Sequence, residues 1–257
     1  MRPLIGTGLK MHLTSSELTH YLNTLHPLVA EVGSCDLFVL PSFTSIWVAR
    51  DLLAGTNIAW GAQDVSPQEA GAHTGDVSAR MLADLGCTYV EVGHSERRRD
   101  HRETDELVAA KVAQVVRNGM TPIVCVGEPT RRSAATSIRY VRGQLERGLV
   151  GADRSDRAHV VIAYEPVWAI GVGASPASPD HVAAVHRGLH EFLCSPGGGG
   201  IDARVIYGGS VDPANAVPLL EREGVDGLFI GRAGLDPAWF AAIALAAHAH
   251  ANPEPAA

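Results

Sequence analysis

Lysine is nearly absent from this 257-residue chain, which has two, Lys10 and Lys111. A Schiff-base mechanism needs a lysine late in the chain, and Lys111, within a helical run, reads as a surface charge. No stretch of about 18 consecutive apolar residues occurs, so no membrane span is expected. The opening residues MRPLIGTGLKMH lack a long apolar region and a small-residue cleavage site, so a cytoplasmic location is expected rather than secretion. The four cysteines (Cys35, Cys87, Cys125, Cys194) form no Cys-x-x-Cys pair, which argues against a zinc–thiolate site and suggests buried free thiols. Twelve histidines raise the question of a metal, but no His-x-x-x-His or His-x-x-Glu-His array reads as a ligand set and no metal is expected. His248 and His250 lie in an Ala-rich end that reads as a frayed tail. The formal charge of −7 argues against a general nucleic-acid binder, though not against a local phosphate pocket.

What is present is an alternation of strands and helices. Short apolar runs at Pro3–Thr7, Asp36–Leu40, Asn57–Gly61, Tyr89–Val92, Pro122–Val126, His159–Tyr164, Arg204–Tyr207 and Gly227–Ile230 suit strands covered on both faces. Thr14 and Glu17 form a capping box opening a helix toward Val32. Helical spacing marks Glu103–Asn118, with Gly119 as a stop. Ser178 with Pro179 and Asp236 with Pro237 read as starts of helices reaching Phe192 and Ala247. Eight such units predict a single (β/α)8 barrel over residues 1–248, with a disordered tail over 249–257. A doubly wound open sheet is the alternative, weakened because no Gly-x-Gly-x-x-Gly follows the first strand. Ser195–Gly200 (SPGGGG) reads as a flexible loop without function.

In a barrel of this kind the site forms where the strands end. Lys10, His94 and Glu165 follow the first, fourth and sixth strands. The Gly-containing turns YGGSV and IGRAG follow the seventh and eighth, and backbone N–H groups at such turns suit an anion. Singly, each group is ordinary. Together they suit a phosphorylated small molecule and proton abstraction from carbon beside a carbonyl, without redox cofactor or metal.

The stretches TGDVSARML, GHSERR, CVGE, AYEPVWAIG, YGGSV and DGLFIG, in that order, make the chain resemble the triosephosphate isomerase family from Ile5 to about Phe240. The resemblance implies interconversion of dihydroxyacetone phosphate and glyceraldehyde 3-phosphate in glycolysis and gluconeogenesis. By position, it makes Glu165 the base, His94 a neutral electrophile and Lys10 the cation that meets the substrate's charge. Glu96 would contact Lys10, or else pair with Arg97 or Arg98, and Cys125 would pack near the base. Residues 166–176, with Pro166, Val167 and Trp168 as hinge, would form a lid. The backbones of Gly171, Ser210, Gly231 and Arg232 would face phosphate. The loop Asp64–Asp76 would enter a second subunit of a homodimer, with Thr74 reaching the partner's site.

Three departures stand out. The family's first motif usually reads Gly-Asn-Trp-Lys, and here Thr7-Gly8-Leu9-Lys10 replaces the substrate-contacting Asn with Gly8 and suggests extra room. The usual Gly-Gly after the eighth strand is Gly231-Arg232, and the usual Gln-Asn is Gln63-Asp64. The first two resemble relatives that isomerise four-carbon tetrulose phosphates, such as L-erythrulose 1-phosphate in erythritol catabolism. A non-catalytic sugar-phosphate-binding barrel is a further reading from another class.

Overall fold

The computed structural model describes residues 2–150, 160–171 and 173–252. Eight parallel strands close into a barrel in sequence order: β1 Leu4–Gly8, β2 Asp36–Leu40, β3 Ile58–Ala62, β4 Tyr89–Val92, β5 Thr121–Val126, β6 Val161–Tyr164, β7 Arg204–Tyr207 and β8 Gly227–Ile230. Pairing of β1 with β8, Leu4 opposite Gly227, completes the closure. Closure excludes the open sheet and leaves no free edge. His159, expected at the start of the sixth strand, lies outside the described residues, as do Val172 of the expected lid and 253–257 of the expected tail.

Alternation along each strand divides two cores. Leu4, Phe38, Tyr89, Ile123, Cys125, Ala163, Ile206 and Phe229 fill the barrel interior. Outward residues such as Ile5, Val39, Val90, Val124 and Ile162 join the larger core between sheet and helices. Interior space is tight: a Cβ on Gly6 would stand 2.1 Å from the Phe38 ring.

The helices begin where short polar side chains can take the unpaired first N–H groups. Helix α1 (Ser15–Leu28) carries the Thr14–Glu17 capping box and stops one residue past Pro27, short of Val32. α2 is Ile46–Leu53, α3 Ala79–Asp84 and α4 Ser95–Asp100. α5 (Asp105–Arg117) is capped by Thr104, two residues later than expected. Gly119 beyond it adopts a φ of 73°. α6 is Ala134–Gly148, and α7 (Pro179–Cys194) is capped by the Ser178 hydroxyl. α8 is Ala216–Leu220, and α9 (Pro237–Ala251) is capped by Asp236.

Five readings need correction. The last helix runs to Ala251, past the expected boundary at 248, and His248 is held in it, with Nδ1 2.6 Å from the Ser34 hydroxyl. Cys194 is exposed, unlike the other three thiols. Pro196–Gly198 in the glycine loop forms a 3-10 turn, with the Ser195 hydroxyl accepting from the Gly198 amide. His186 and His190 do form a His-x-x-x-His pair, contrary to the expectation of none; both face the Gly224 carbonyl, and His190 also lies 3.1 Å from Asp226.

The fifth concerns Lys111, which is 3% exposed rather than a surface charge. Its ammonium donates to Asp64 at 2.6 Å and to Glu103, and Arg97 adds contacts of 2.8 and 2.5 Å to the same two carboxylates. Burial would raise the Glu103 carboxyl, but Lys111 and Arg97 hold it below its ordinary range. Removing one member of such a cluster strands the others' charge. Lys111→Met is therefore expected to cost about 3–5 kcal/mol in a denaturant titration; an unchanged midpoint would place the cluster's weight elsewhere.

Candidate active site

The C-terminal rim of the strands brings Lys10, His94 and Glu165 together. Lys10 follows β1 with φ 49°, a left-handed conformation uncommon outside glycine. Gln63 after β3 steadies that turn, donating its side-chain amide to the carbonyls of Lys10 (3.0 Å) and Leu40 (2.9 Å). The Lys10 ammonium donates to Glu96 Oε1 at 2.8 Å. Of the two contacts expected for Glu96, the structure has the one to Lys10. Arg97 turns to Asp64 and Glu103, and Arg98 to Asp105.

His94 caps α4, its Nδ1 accepting from the Glu96 amide at 3.2 Å. This bond places the proton of a neutral imidazole on Nε2, which faces the pocket. Lys10 Nζ lies 3.2 Å from Nε2. Two donors that converge with no acceptor between them define a place for an incoming oxygen. Burial, reinforced by Lys10, lowers the imidazole pKa to about 4. A ring so lowered is neutral at pH 7, in line with what the family resemblance implies for it.

Glu165, directly after β6, is 4% exposed. Its Oε2 lies 3.5 Å from His94 Nε2 and is buried without a hydrogen-bond partner among the described residues. Burial and the neighbouring Glu91 raise its carboxyl well above the ordinary value, with Lys10 opposing. Two glycines clear its place. A Cβ on Gly208 would lie 2.6 Å from Glu165 Cγ, and one on Gly127 would lie 1.9 Å from the Glu165 carbonyl oxygen. Cys125 is buried in the barrel interior below this rim.

Beyond Glu165, Val167–Ala169 form a 3-10 turn. The Trp168 indole donates to Glu128 Oε1 at 2.8 Å, and the Val167 amide donates to the Glu128 carbonyl at 3.1 Å. Glu128, fully buried, also accepts from the hydroxyls of Ser137 and Tyr164. Trp168, in the expected hinge, is thus tied to the segment that follows β5. Gly171 is exposed with φ 110°. The Ser210 hydroxyl donates to the Ala169 carbonyl at 2.8 Å, and Asn215 donates to the Ser210 carbonyl at 3.0 Å. Gly231 leads into a 3-10 turn, Arg232–Leu235, on which the Arg232 side chain is exposed.

Sequence reasoning missed Glu91. It stands in β4 with Tyr89 on the interior face, inside a run that otherwise reads as apolar. A carboxylate inside a strand, three residues before His94, was the available signal. Its Oε2 lies 3.4 Å from where a Cβ of Gly8 would be, and Phe229 stands equally near. A Cβ at Gly8 would thus meet Glu91 and Phe229 at ordinary contact distance. Glu91, His94 and Glu165 each turn an atom capable of holding a metal to within 4.8 Å of the others. The Lys10 ammonium beside His94 already places a cation at this rim.

Fold and site together define a barrel enzyme site built for proton transfer next to an oxygen that gains negative charge. The triosephosphate isomerase family model matches residues 3–247. The chain is 44% identical over 245 residues to triosephosphate isomerase of Thermus thermophilus, covering 94% of this chain and 97% of that one. It is 40% identical over 247 residues to that of Aquifex aeolicus, covering 95% and 98%. The crystal structure of triosephosphate isomerase from Bartonella henselae superposes with a TM-score of 0.82 at 34% identity, over 96% of this chain and 99% of that one. The chain belongs to the triosephosphate isomerase family.

Proposed function

We propose that the protein interconverts dihydroxyacetone phosphate and glyceraldehyde 3-phosphate by proton transfer through an enediolate. The observation that carries this reading is the buried, unpartnered Oε2 of Glu165 opposite the His94 and Lys10 donors. Glu165 takes a proton from the ketose C1. The C–H electron pair forms the C1–C2 double bond, and the carbonyl electrons move onto the C2 oxygen. His94 Nε2–H and Lys10 stabilise that oxygen. Return of the proton to C2, with transfer of the O1 proton to the C2 oxygen, gives the aldehyde and leaves the proton count unchanged. Burial strengthens each of these interactions, and the lid after Trp168 would keep water from the intermediate.

Backbone N–H groups at Gly171, Ser210, Gly231 and Arg232 would receive the phosphate, as they line the glycine-rich exits of neighbouring strands. The reading needs no cofactor. The four-carbon alternative rests on Gly8, which Glu91 and Phe229 border, and on Arg232, whereas the relatives above carry the triose name. Three buried free thiols suit a reducing compartment, and we assign the protein to the cytoplasm. No helix among the described residues is long and apolar enough to cross a membrane.

A homodimer accompanies this reading. Residues 68–76, including Thr74, are all exposed. Met11 after β1, Trp47 on α2 and Met81 on α3 expose 96%, 51% and 58% of their surface, and all three follow neighbouring strands. Apolar side chains left in water on one flank favour a covering partner. Sedimentation is expected to give a dimer; a stable, active monomer would exclude it.

Turnover of glyceraldehyde 3-phosphate by the pure protein tests the main reading. kcat/KM should rise with pH through the raised Glu165 pKa, since the base works only when ionised. Glu165→Asp should lower kcat while leaving ligand affinity largely intact. No turnover with triose or tetrulose phosphates would favour the non-catalytic binder, and a flat profile from about pH 4 to 9 would count against Glu165 as the base.

A further inference from the structure

Glu91 is a second carboxylate in the pocket, and the reaction above gives it no part. It is 6% exposed and projects into the barrel. The Cys125 thiol donates to its Oε1 at 3.6 Å. No protein donor to its Oε2 exists among the described residues, and that oxygen faces the bare backbone of Gly8. One of its oxygens lies within 4.8 Å of both a His94 nitrogen and a Glu165 oxygen. The carboxyl thus borders the space where the reacting carbon and its oxygen must sit.

Charge decides its state. The groups facing it are Lys10 from the end of β1, Asp64 beyond β3, His94 and Glu96 beyond β4, Cys125 from β5 and Glu165 beyond β6. Asp64 is matched by Lys111 and Arg97, and Glu96 already shares Lys10. Cys125 and His94 are neutral. Two desolvated carboxylates, Glu91 and Glu165, are left with part of one ammonium. Such a pair retains a proton. Burial, opposed by Lys10, moves Glu91 up to about 7. Glu165 must be ionised to act as base, so in the working enzyme the retained proton is on Glu91.

A neutral carboxyl in an apolar setting is a hydrogen-bond donor. The family motif carries an Asn at the position of Gly8, where this chain has no side-chain donor at all. We propose that Glu91, in its protonated form, donates a hydrogen bond to the substrate oxygen and so supplies from β4 the contact that Gly8 cannot make from β1. Glu91 keeps its proton throughout, so the proton balance of the isomerisation is unaltered. The inference rests on the isomerase reading above.

The test uses Glu91→Leu, Glu91→Gln and the double variant Glu91→Leu/Gly8→Asn, with kcat, KM and pH profiles for glyceraldehyde 3-phosphate. Loss of a donor at a developing charge should lower kcat/KM in Glu91→Leu by about 10- to 100-fold. Glu91→Gln, whose amide donates at every pH, should recover at least about tenfold of that loss. It should also move any alkaline limb at least about one pH unit upward, because the group that would ionise is gone. Restoring an amide at position 8 should recover part of the loss in the double variant; a Cβ there meets its neighbours at ordinary contact distance. Glu91→Gln as slow as Glu91→Leu, or Glu91→Leu as fast as the parent, would overturn the proposal.

Infrared spectroscopy reads the proton without turnover. At about pH 6 the parent should show a protonated-carboxyl band that loses a component in Glu91→Gln, where Glu165 remains raised by burial, and equal bands in the two proteins would overturn the proposal even if Glu91→Leu fails to fold. A parent that shows the band but turns over no triose phosphate would refute the isomerase reading instead, and with it the substrate contact.

Discussion

A carboxylate buried with one oxygen unpaired is costly, and Glu165 is that group. Water would stabilise it, and the barrel withholds water. Glu91 adds like charge, and Lys10 returns only part of the balance. The site holds this arrangement because the backbone gives Glu165 no alternative: its amide donates to the Val126 carbonyl at 2.8 Å, and Gly127 and Gly208 leave one cleft for it. The remaining features of the rim follow from keeping that carboxylate in place and opposing it with donors.

Those donors are fixed by groups that never meet substrate. The α4 amide of Glu96 sets the His94 tautomer, and Gln63 holds the left-handed turn of Lys10. Glu128 gathers Trp168, Tyr164 and Ser137 on a single carboxylate, so the segment expected to open the lid is anchored to the barrel rather than to solvent. Asp64, where the family usually has Asn, is matched by Lys111 and Arg97 beneath the expected interface loop. Charge-assisted bonds of this sort are strong only while every member is present, which makes the rim stiff.

The barrel was legible because each strand is a short apolar run and each helix opens on a polar cap; Thr14, Ser178 and Asp236 cap as expected. Strand ends moved by a residue or so, since apolar periodicity does not mark the last hydrogen bond. Lys10, His94 and Glu165 could be named because strand exits and family motifs coincide there. Lys111 could not be read correctly: its partner Asp64 is 47 positions away, and spacing within one helix carries no word of it. Glu91 was hidden for the opposite reason, as a single charge inside a run whose neighbours all said core. How much room Gly8 leaves depends on Glu91 and Phe229 across the barrel, which no local motif names.

The placing of Glu165 is tested most directly at Gly208, whose missing Cβ is what admits the Glu165 side chain. Gly208→Ala would put a methyl 2.6 Å from Glu165 Cγ and 2.8 Å from Oε1, so the carboxylate must shift. Misplacement on that scale lowers turnover by about 100-fold. The account predicts that loss in kcat from a protein whose circular dichroism and melting temperature stay close to the parent's. A folded Gly208→Ala protein with the parent's kcat would contradict it.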